Sequence, residues 1–255
     1  MTAHIVTEIA DGVMTLRFNR PEKKNAITAE MYAAMAESCR AGEMDASVRV
    51  VVITGSGDAF TAGNDLKDFL ENPPQQADAP VFQFMSALTH LSKPVIAAVT
   101  GVAVGIGTTL LIHCDLVYAV ANARFQLPFV NLALVPEFGS SVALAHQVGA
   151  RRAAELLMLG EPFSAETALA DGLINGVVPA EALMETVMGK ARALAQKPPA
   201  ALRETKRLMR ADLPAMSASI AREVRQFGKR LGSPEFREAV QAFLEKRAPD
   251  FSKFG

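Results

Sequence analysis

Residues Lys93 to Ser141 read KPVIAAVTGVAVGIGTTLLIHCDLVYAVANARFQLPFVNLALVPEFGSS. A short, continuous apolar run, Val95–Val99, enters a turn punctuated by Gly101, Gly105 and Gly107. The pattern predicts a helix from about Gly107 to His113 and a further strand at Leu116–Ala119. Strand, turn, helix and strand in that order have the periods of an α/β fold. One late, isolated acid, Glu137, follows between Pro136 and Phe138.

Upstream, strand-like stretches at Ile5–Ile9 and Val13–Phe18 precede a helix from about Thr28 to Met44, then a strand at Val48–Thr54. The run Val50-Val51-Val52-Ile53 is short and β-branched, as in a strand buried on both faces. Residues 71–80, ENPPQQADAP, lack any periodicity and read as a mobile surface loop. From Arg151 onward the pattern is almost wholly helical: Arg151–Leu159, Ser164–Asp171, Ala180–Ala195, Pro199–Arg210, Met216–Leu231 and Pro234–Lys246. Ser164 is placed to cap one of these helices and Gly172 to stop it. We expect an α/β core over residues 1–195 and a helical region over 196–255.

A chain of 255 residues suffices for one large domain with a sizeable core. Half of the residues are hydrophobic, yet Gly, Thr, His and Asp break every apolar run short of the ~20 residues a membrane span needs. The N-terminus has neither a basic segment nor an apolar one of the kind that directs export, so the expected compartment is the cytoplasm. The formal charge is −1, and no block of Lys or Arg exceeds two residues, which leaves no whole-domain footprint for nucleic acid. Basic residues do gather after Lys197, as a solvated helix face or as contacts to a phosphate-bearing group. Cys39 and Cys114 have no metal or redox spacing and read as buried thiols.

Two turns carry the chemistry. Glycines ahead of a helix leave main-chain N–H groups unobstructed where an anion is favoured, and the Ile106 amide is such a donor. The stretch Phe60-Thr61-Ala62-Gly63-Asn64-Asp65-Leu66 has the same logic around the Asn64 amide. Two donors converging on one oxygen stabilise an enolate, each by ~3 kcal/mol. Either segment alone also fits a structural role, close packing in the first and an Asx-type turn with Asp65 capping a helix in the second. No Lys-Ser or Lys-Thr pair follows the glycines, so the nucleotide P-loop pattern fails.

Taken together, the segments NRPEKKNAIT, AFTAGNDLKDF, KPVIAAVTGVAVGIG, HCDLVYA, LGEPFSAETALADGLINGVV and FLEKRAPDF resemble the enoyl-CoA hydratase/isomerase family, the crotonase superfamily. The likeness runs from about residue 4 to the C-terminus. It implies a spiral of ββα units with a C-terminal helical trimerisation region, assembled as a homotrimer or a dimer of trimers. It implies an acyl-CoA thioester as substrate, with coenzyme A part of that substrate and no separate cofactor or metal. It implies an oxyanion hole formed by the Asn64 and Ile106 amides. Ala62, Gly63, Asp65, Leu66 and Lys67 would hold the coenzyme A portion, and Lys246 would approach its nucleotide phosphate.

The departures from that pattern matter most. Where hydratases of the family carry two glutamates, this chain has Thr109 and Phe129. Hydration needs a polarised water and a delivered proton, usually from two groups. Moving a double bond needs one carboxylate to remove a proton and return it. Glu137 is available, in a context similar to the Δ3,Δ2-enoyl-CoA isomerases of the peroxisomal type, and Phe129, Leu132 and Phe138 are expected to make its surroundings apolar and raise its pKa. Isomerisation of another functionalised or ring-containing acyl-CoA, or silent thioester binding, stays open. Phe82, Phe84 and Met85 are candidates for the wall of a tail pocket, and His113 for a hydrogen-bonded core residue. An RNA-binding lineage of this fold relies on a lysine-rich helix, whereas residues 28–45 here hold Arg40 as their only base.

Overall fold

The computed structural model describes residues 3–74 and 78–254. Positions 75–77, inside the expected 71–80 loop, lie outside the described residues. The chain opens with a hairpin, β1 (Ile5–Ala10) and β2 (Val13–Phe18), then α1 (Ala29–Met44) and β3 (Val50–Gly55). Two helices, α2 (Leu66–Glu71) and α3 (Pro80–Thr89), precede β4 (Val95–Val99), β5 (Val102–Val104) and the four-residue α4 (Ile106–Thr109). Next come β6 (Leu116–Val120), β7 (Arg124–Gln126), α5 (Ser140–Val148), α6 (Ala150–Leu159), β8 (Phe163–Ser164), α7 (Ala165–Ala170) and β9 (Gly176–Val178). Four helices finish the chain: α8 (Leu183–Ala195), α9 (Pro199–Met209), α10 (Leu213–Leu231) and α11 (Pro234–Glu245).

The main sheet has the order β1-β2-β3-β4-β6-β9, parallel throughout except for the β1–β2 hairpin. Val50 to Ile53 are all fully buried. Since neighbouring residues of a strand point to opposite faces, both faces are covered, as the β-branched run requires. Helix α8 packs across β2, β3, β4 and β6, and α1 packs on the hairpin and on α3. A smaller sheet, β5-β7-β8, stands beyond the end of β4 and receives the chain through Thr100 and Gly101.

Thr28 caps α1 by accepting the Met31 amide, and Ser164 caps α7 by accepting the Thr167 amide. The helix expected over 107–113 is instead two pieces, α4 and a 3-10 turn over Leu110–His113. The pattern also gave no sign of β5, β7, β8, β9 or α5. Strands of two or three residues are too short to show a period, and α5 begins on a glycine without a side-chain cap. Among the described residues no helix is long and apolar enough to cross a membrane.

Candidate active site

In parallel sheets ligands gather beyond the carboxyl ends of the strands. Strands β3 and β4 are neighbours, so the chain leaving each must pass the same end of the sheet. The segment after β3 bridges β5 at Thr61 and Ala103, and Asn64 bridges Ile27. Gly63, at φ +86°, lies so close to β5 that a Cβ there would stand 2.7 Å from the Val104 carbonyl oxygen. A Cβ on Gly107 would stand 2.6 Å from the Thr61 methyl. The glycines of the two turns are therefore what lets one donor segment lie against the other. The amide N–H groups of Asn64 and Ile106, the latter at the first position of α4, donate to no group among the described residues.

The segment at residues 19–28 holds this arrangement from behind, a task that sequence reading missed. Asn25, fully buried at φ +57°, donates through its side-chain amide to the carbonyls of Ser56 at 2.9 Å, Ala59 at 2.8 Å and Phe60 at 3.2 Å. The Thr61 hydroxyl donates back to the Asn25 carbonyl at 2.7 Å. Arg20 pairs with Asp65 at 2.7 Å, and Asp65 caps α2 by accepting the amides of Lys67 and Asp68. The capping role foreseen for Asp65 thus coexists with the free Asn64 amide next to it.

Glu137 is 4% exposed. Its Oε1 accepts a hydrogen bond from the Thr109 hydroxyl at 2.5 Å. Its Oε2 has no partner among the described residues and is not sealed from solvent. Burial, partly offset by the Thr109 hydrogen bond and reinforced by the nearby Glu223 carboxylate, pushes the carboxyl up to about 8.

The cavity shared by Asn64 and Glu137 is also lined by Phe69, Pro74, Val81, Phe82, Met85, Val224 and Phe227, and Ile106 is not among its lining residues. Its walls come from α2, α3 and α10 rather than from Phe129 and Leu132, as expected from the sequence. Phe138 turns inward and stacks on His113 with ring centres 3.9 Å apart. Phe82 and Met85 do face the cavity, whereas Phe84 points into the core against Tyr32 and Phe138. The space between the lining side chains is about 10 Å3, one water molecule's worth. Phe69, Pro74 and Val81 also border a wider pocket of about 500 Å3 that reaches Asp68, Asn72 and Asp78.

Tyr32 closes the back of the site. Its hydroxyl donates to Asn64 Oδ1 at 2.5 Å, and burial together with the Glu137 charge keeps that hydroxyl protonated, well above its usual range. His113 donates from Nε2 to the Phe138 carbonyl at 2.7 Å and is held neutral by burial, at about 4. It is a core histidine, as its sequence position suggested, yet it grips the residue next to Glu137. Thr109, set aside on sequence because it is no acid, proves to be the hydrogen-bond partner of the acid.

The remaining sequence candidates are dispersed. Ala62 and Gly63 lie in the first donor turn and Leu66 opens α2. Lys67 pairs with Glu71 at 3.8 Å on the surface. Lys246 ends α11 at φ +54°, its backbone amide donating to Ala242 and Phe243. Neither lysine lines the Glu137 cavity.

The family model described as enoyl-CoA hydratase/isomerase matches residues 8–253. The chain is 38% identical over 261 residues to 1,2-epoxyphenylacetyl-CoA isomerase of Escherichia coli (strain K12), covering 99% of each. It is 35% identical to enoyl-CoA delta isomerase 2 of Homo sapiens, over 96% of this chain and 64% of that protein. Hydratases also occur among the relatives. Among solved structures, Pseudomonas aeruginosa OdaA superposes with a TM-score of 0.92 at 51% identity, over 95% of this chain and 99% of that one.

Proposed function

The chain belongs to the enoyl-CoA hydratase/isomerase family, and from that premise we propose that it moves the double bond of a 3-enoyl-CoA to give the trans-2-enoyl-CoA, with Glu137 as its one proton carrier. The observation that carries the proposal is the buried Glu137, the one acid among the described residues lining the cavity, with one oxygen tied to Thr109 and the other free. The Asn64 and Ile106 amides would receive the thioester oxygen. Ionised Glu137 takes a proton from C2, and the electron pair of that C–H bond forms a C1–C2 double bond as the carbonyl pair moves onto the oxygen, giving a dienolate. When the carbonyl re-forms, the C1–C2 pair shifts to C2–C3 and the C3–C4 pair takes the same proton at C4. Charge in the intermediate rests on the oxygen held by the two amides. The reaction is redox-neutral and needs no cofactor beyond the coenzyme A of the substrate. A carrier titrating at about 8 suits both halves of this transfer, since the best acid–base catalyst has a pKa near the working pH.

Hydration is disfavoured by the same geometry. Thr109 and Phe129 offer no second carboxylate, and the hydroxyl of Thr109 is already committed to Glu137. A second reading, isomerisation of a ring-bearing acyl-CoA, draws on the 38% identity to an epoxyphenylacetyl-CoA isomerase and on the three phenylalanines in the cavity wall, Phe69, Phe82 and Phe227. We further propose assembly as a homotrimer or a dimer of trimers, consistent with the apolar side chains left exposed on α9 and α11, Leu208, Met209, Phe243 and Leu244.

The test is a panel of 3-enoyl-CoA thioesters of graded length, followed at the 2-enoyl thioester absorbance, with Glu137→Gln in parallel. The proposal expects turnover by the native chain and loss of at least ~100-fold in the variant, with thioester binding retained. Full activity of Glu137→Gln would remove the assignment. Turnover of ring-bearing thioesters alone would transfer it to the second reading.

A further inference from the structure

The turn that carries Glu137 is under strain and is held from a distance. Phe138 adopts φ +60° and Gly139 φ +77°, two successive left-handed residues of which only the glycine is at ease there. Helix α5 starts immediately after them and has no cap from its own N-terminal residue. The cap comes from α10 instead. One oxygen of Glu223 accepts the Gly139 amide at 2.5 Å, and the other accepts the Ser141 amide at 2.9 Å and the Ser141 hydroxyl. Met216 and Ile220 of the same helix press on Gly139, where an added Cβ would collide with the Met216 sulfur. From the opposite side His113 holds the Phe138 carbonyl, and the Ser140 hydroxyl donates to the Glu137 carbonyl at 2.6 Å.

Glu223 is 7% exposed; burial pushes its carboxyl above the usual range, the Ser141 and Gly139 hydrogen bonds and the Arg222 charge pull it back, and among the described residues no cation forms an ion pair with it. Burying a carboxylate in this way is costly unless its hydrogen bonds do something a neutral side chain cannot. A carboxylate presents acceptors on both oxygens, whereas a glutamine would turn an N–H2 group toward one of these donors.

We infer that Glu223 is a positioning residue: from α10 it holds the Phe138–Ser141 turn and thereby sets where the Glu137 carboxyl stands in the cleft. This rests on Glu137 being the proton carrier. The groups that act on Glu137 are Thr109 from α4, Tyr32 from α1 and Glu223 from α10, which itself feels the Arg222 charge, while His113 stands behind Phe138. Tyr32 and Thr109 are neutral and His113 is kept neutral by burial, so Glu223 is the group there that can hold a charge, and that charge strengthens the hold of Glu137 on its proton.

Glu223→Gln tests the inference, assayed with 3-hexenoyl-CoA. The expected result is a fall in kcat of roughly 10- to 100-fold, KM altered by less than about threefold, and the rising limb of the pH–rate profile moved to lower pH. Glu223→Asp should recover part of kcat. A merely structural loss would lower the yield of folded protein without moving the limb. Should Glu223→Gln fail to fold, Ser141→Ala, which removes one donor and leaves the acid, should still lower kcat by about two- to fivefold at unchanged KM; unchanged kcat overturns the inference. Glu137→Gln run alongside separates the failures. If it is inactive while Glu223→Gln matches the native chain in kcat and pH profile, this inference alone falls. If it is active, the reading beneath falls and takes this one with it.

Discussion

The Thr109 hydroxyl lies 2.5 Å from Oε1 of the buried Glu137. Thr109 is no acid itself, but its hydroxyl orients one. The bond leaves Oε2 as the free oxygen, and it opposes the rise in proton affinity that burial imposes.

Removing that hydroxyl by Thr109→Val keeps the side-chain shape and deletes the one interaction that draws the Glu137 pKa down. We expect kcat at neutral pH to fall roughly 10- to 100-fold and the rising limb of the pH–rate profile to move to higher pH, the opposite direction to Glu223→Gln. Thr109→Ser should restore most of the native behaviour. A limb that stays in place in Thr109→Val would show that the hydroxyl does not govern the acid.

The native chain should gain activity as pH rises toward about 8, because Glu137 must be ionised to accept the C2 proton. Stability should run the other way. The folded-state pKa lies above the ordinary value of 4.5, so the folded state binds the extra proton between about 4.5 and 8, and stability is lost as pH rises through that window. Glu137→Gln has no charge to bury. Its unfolding free energy should exceed that of the native chain by roughly 1–4 kcal/mol above pH ~8, and the advantage should vanish near pH ~4.5. Chemical denaturation of both proteins at the two pH values measures this; a gap independent of pH would contradict the burial argument.

Asn25→Ala would strand the carbonyls of Ser56, Ala59 and Phe60, which share its side-chain amide. An uncompensated loss of this kind costs about 3 kcal/mol or more. Because these carbonyls lead into the Asn64 turn, kcat/KM should drop together with the denaturation midpoint. Normal stability with impaired turnover would mean that Asn25 acts on the substrate rather than on the turn.

Much of the fold is legible in the order of residues. The β-branched run Val50–Ile53 can satisfy itself only between two apolar layers, and Ser164 with Gly172 marks both ends of α7 by capping chemistry that acts within a few residues. The strands of the small sheet leave no such trace, because pairs such as Val102–Val104 with Arg124–Gln126 are defined by partners and not by a period of their own. The site divides in the same way. Glycine spacing pointed to two exposed amides, and the resemblance of the LALVPEFGSS stretch to one isomerase type pointed to Glu137.

Sequence alone therefore determined the longer strands and helices, since local propensity, burial pattern and turn chemistry are properties of neighbouring residues, and its motifs, by resemblance, pointed to the family and to the candidate acid. Only the tertiary structure decided what surrounds that acid: Thr109 from 28 positions back, His113 from 25 back against Phe138, and Glu223 from 84 ahead against Gly139. Those partners are joined by packing across the chain, and the distance in sequence between them leaves no periodicity or motif from which to read them.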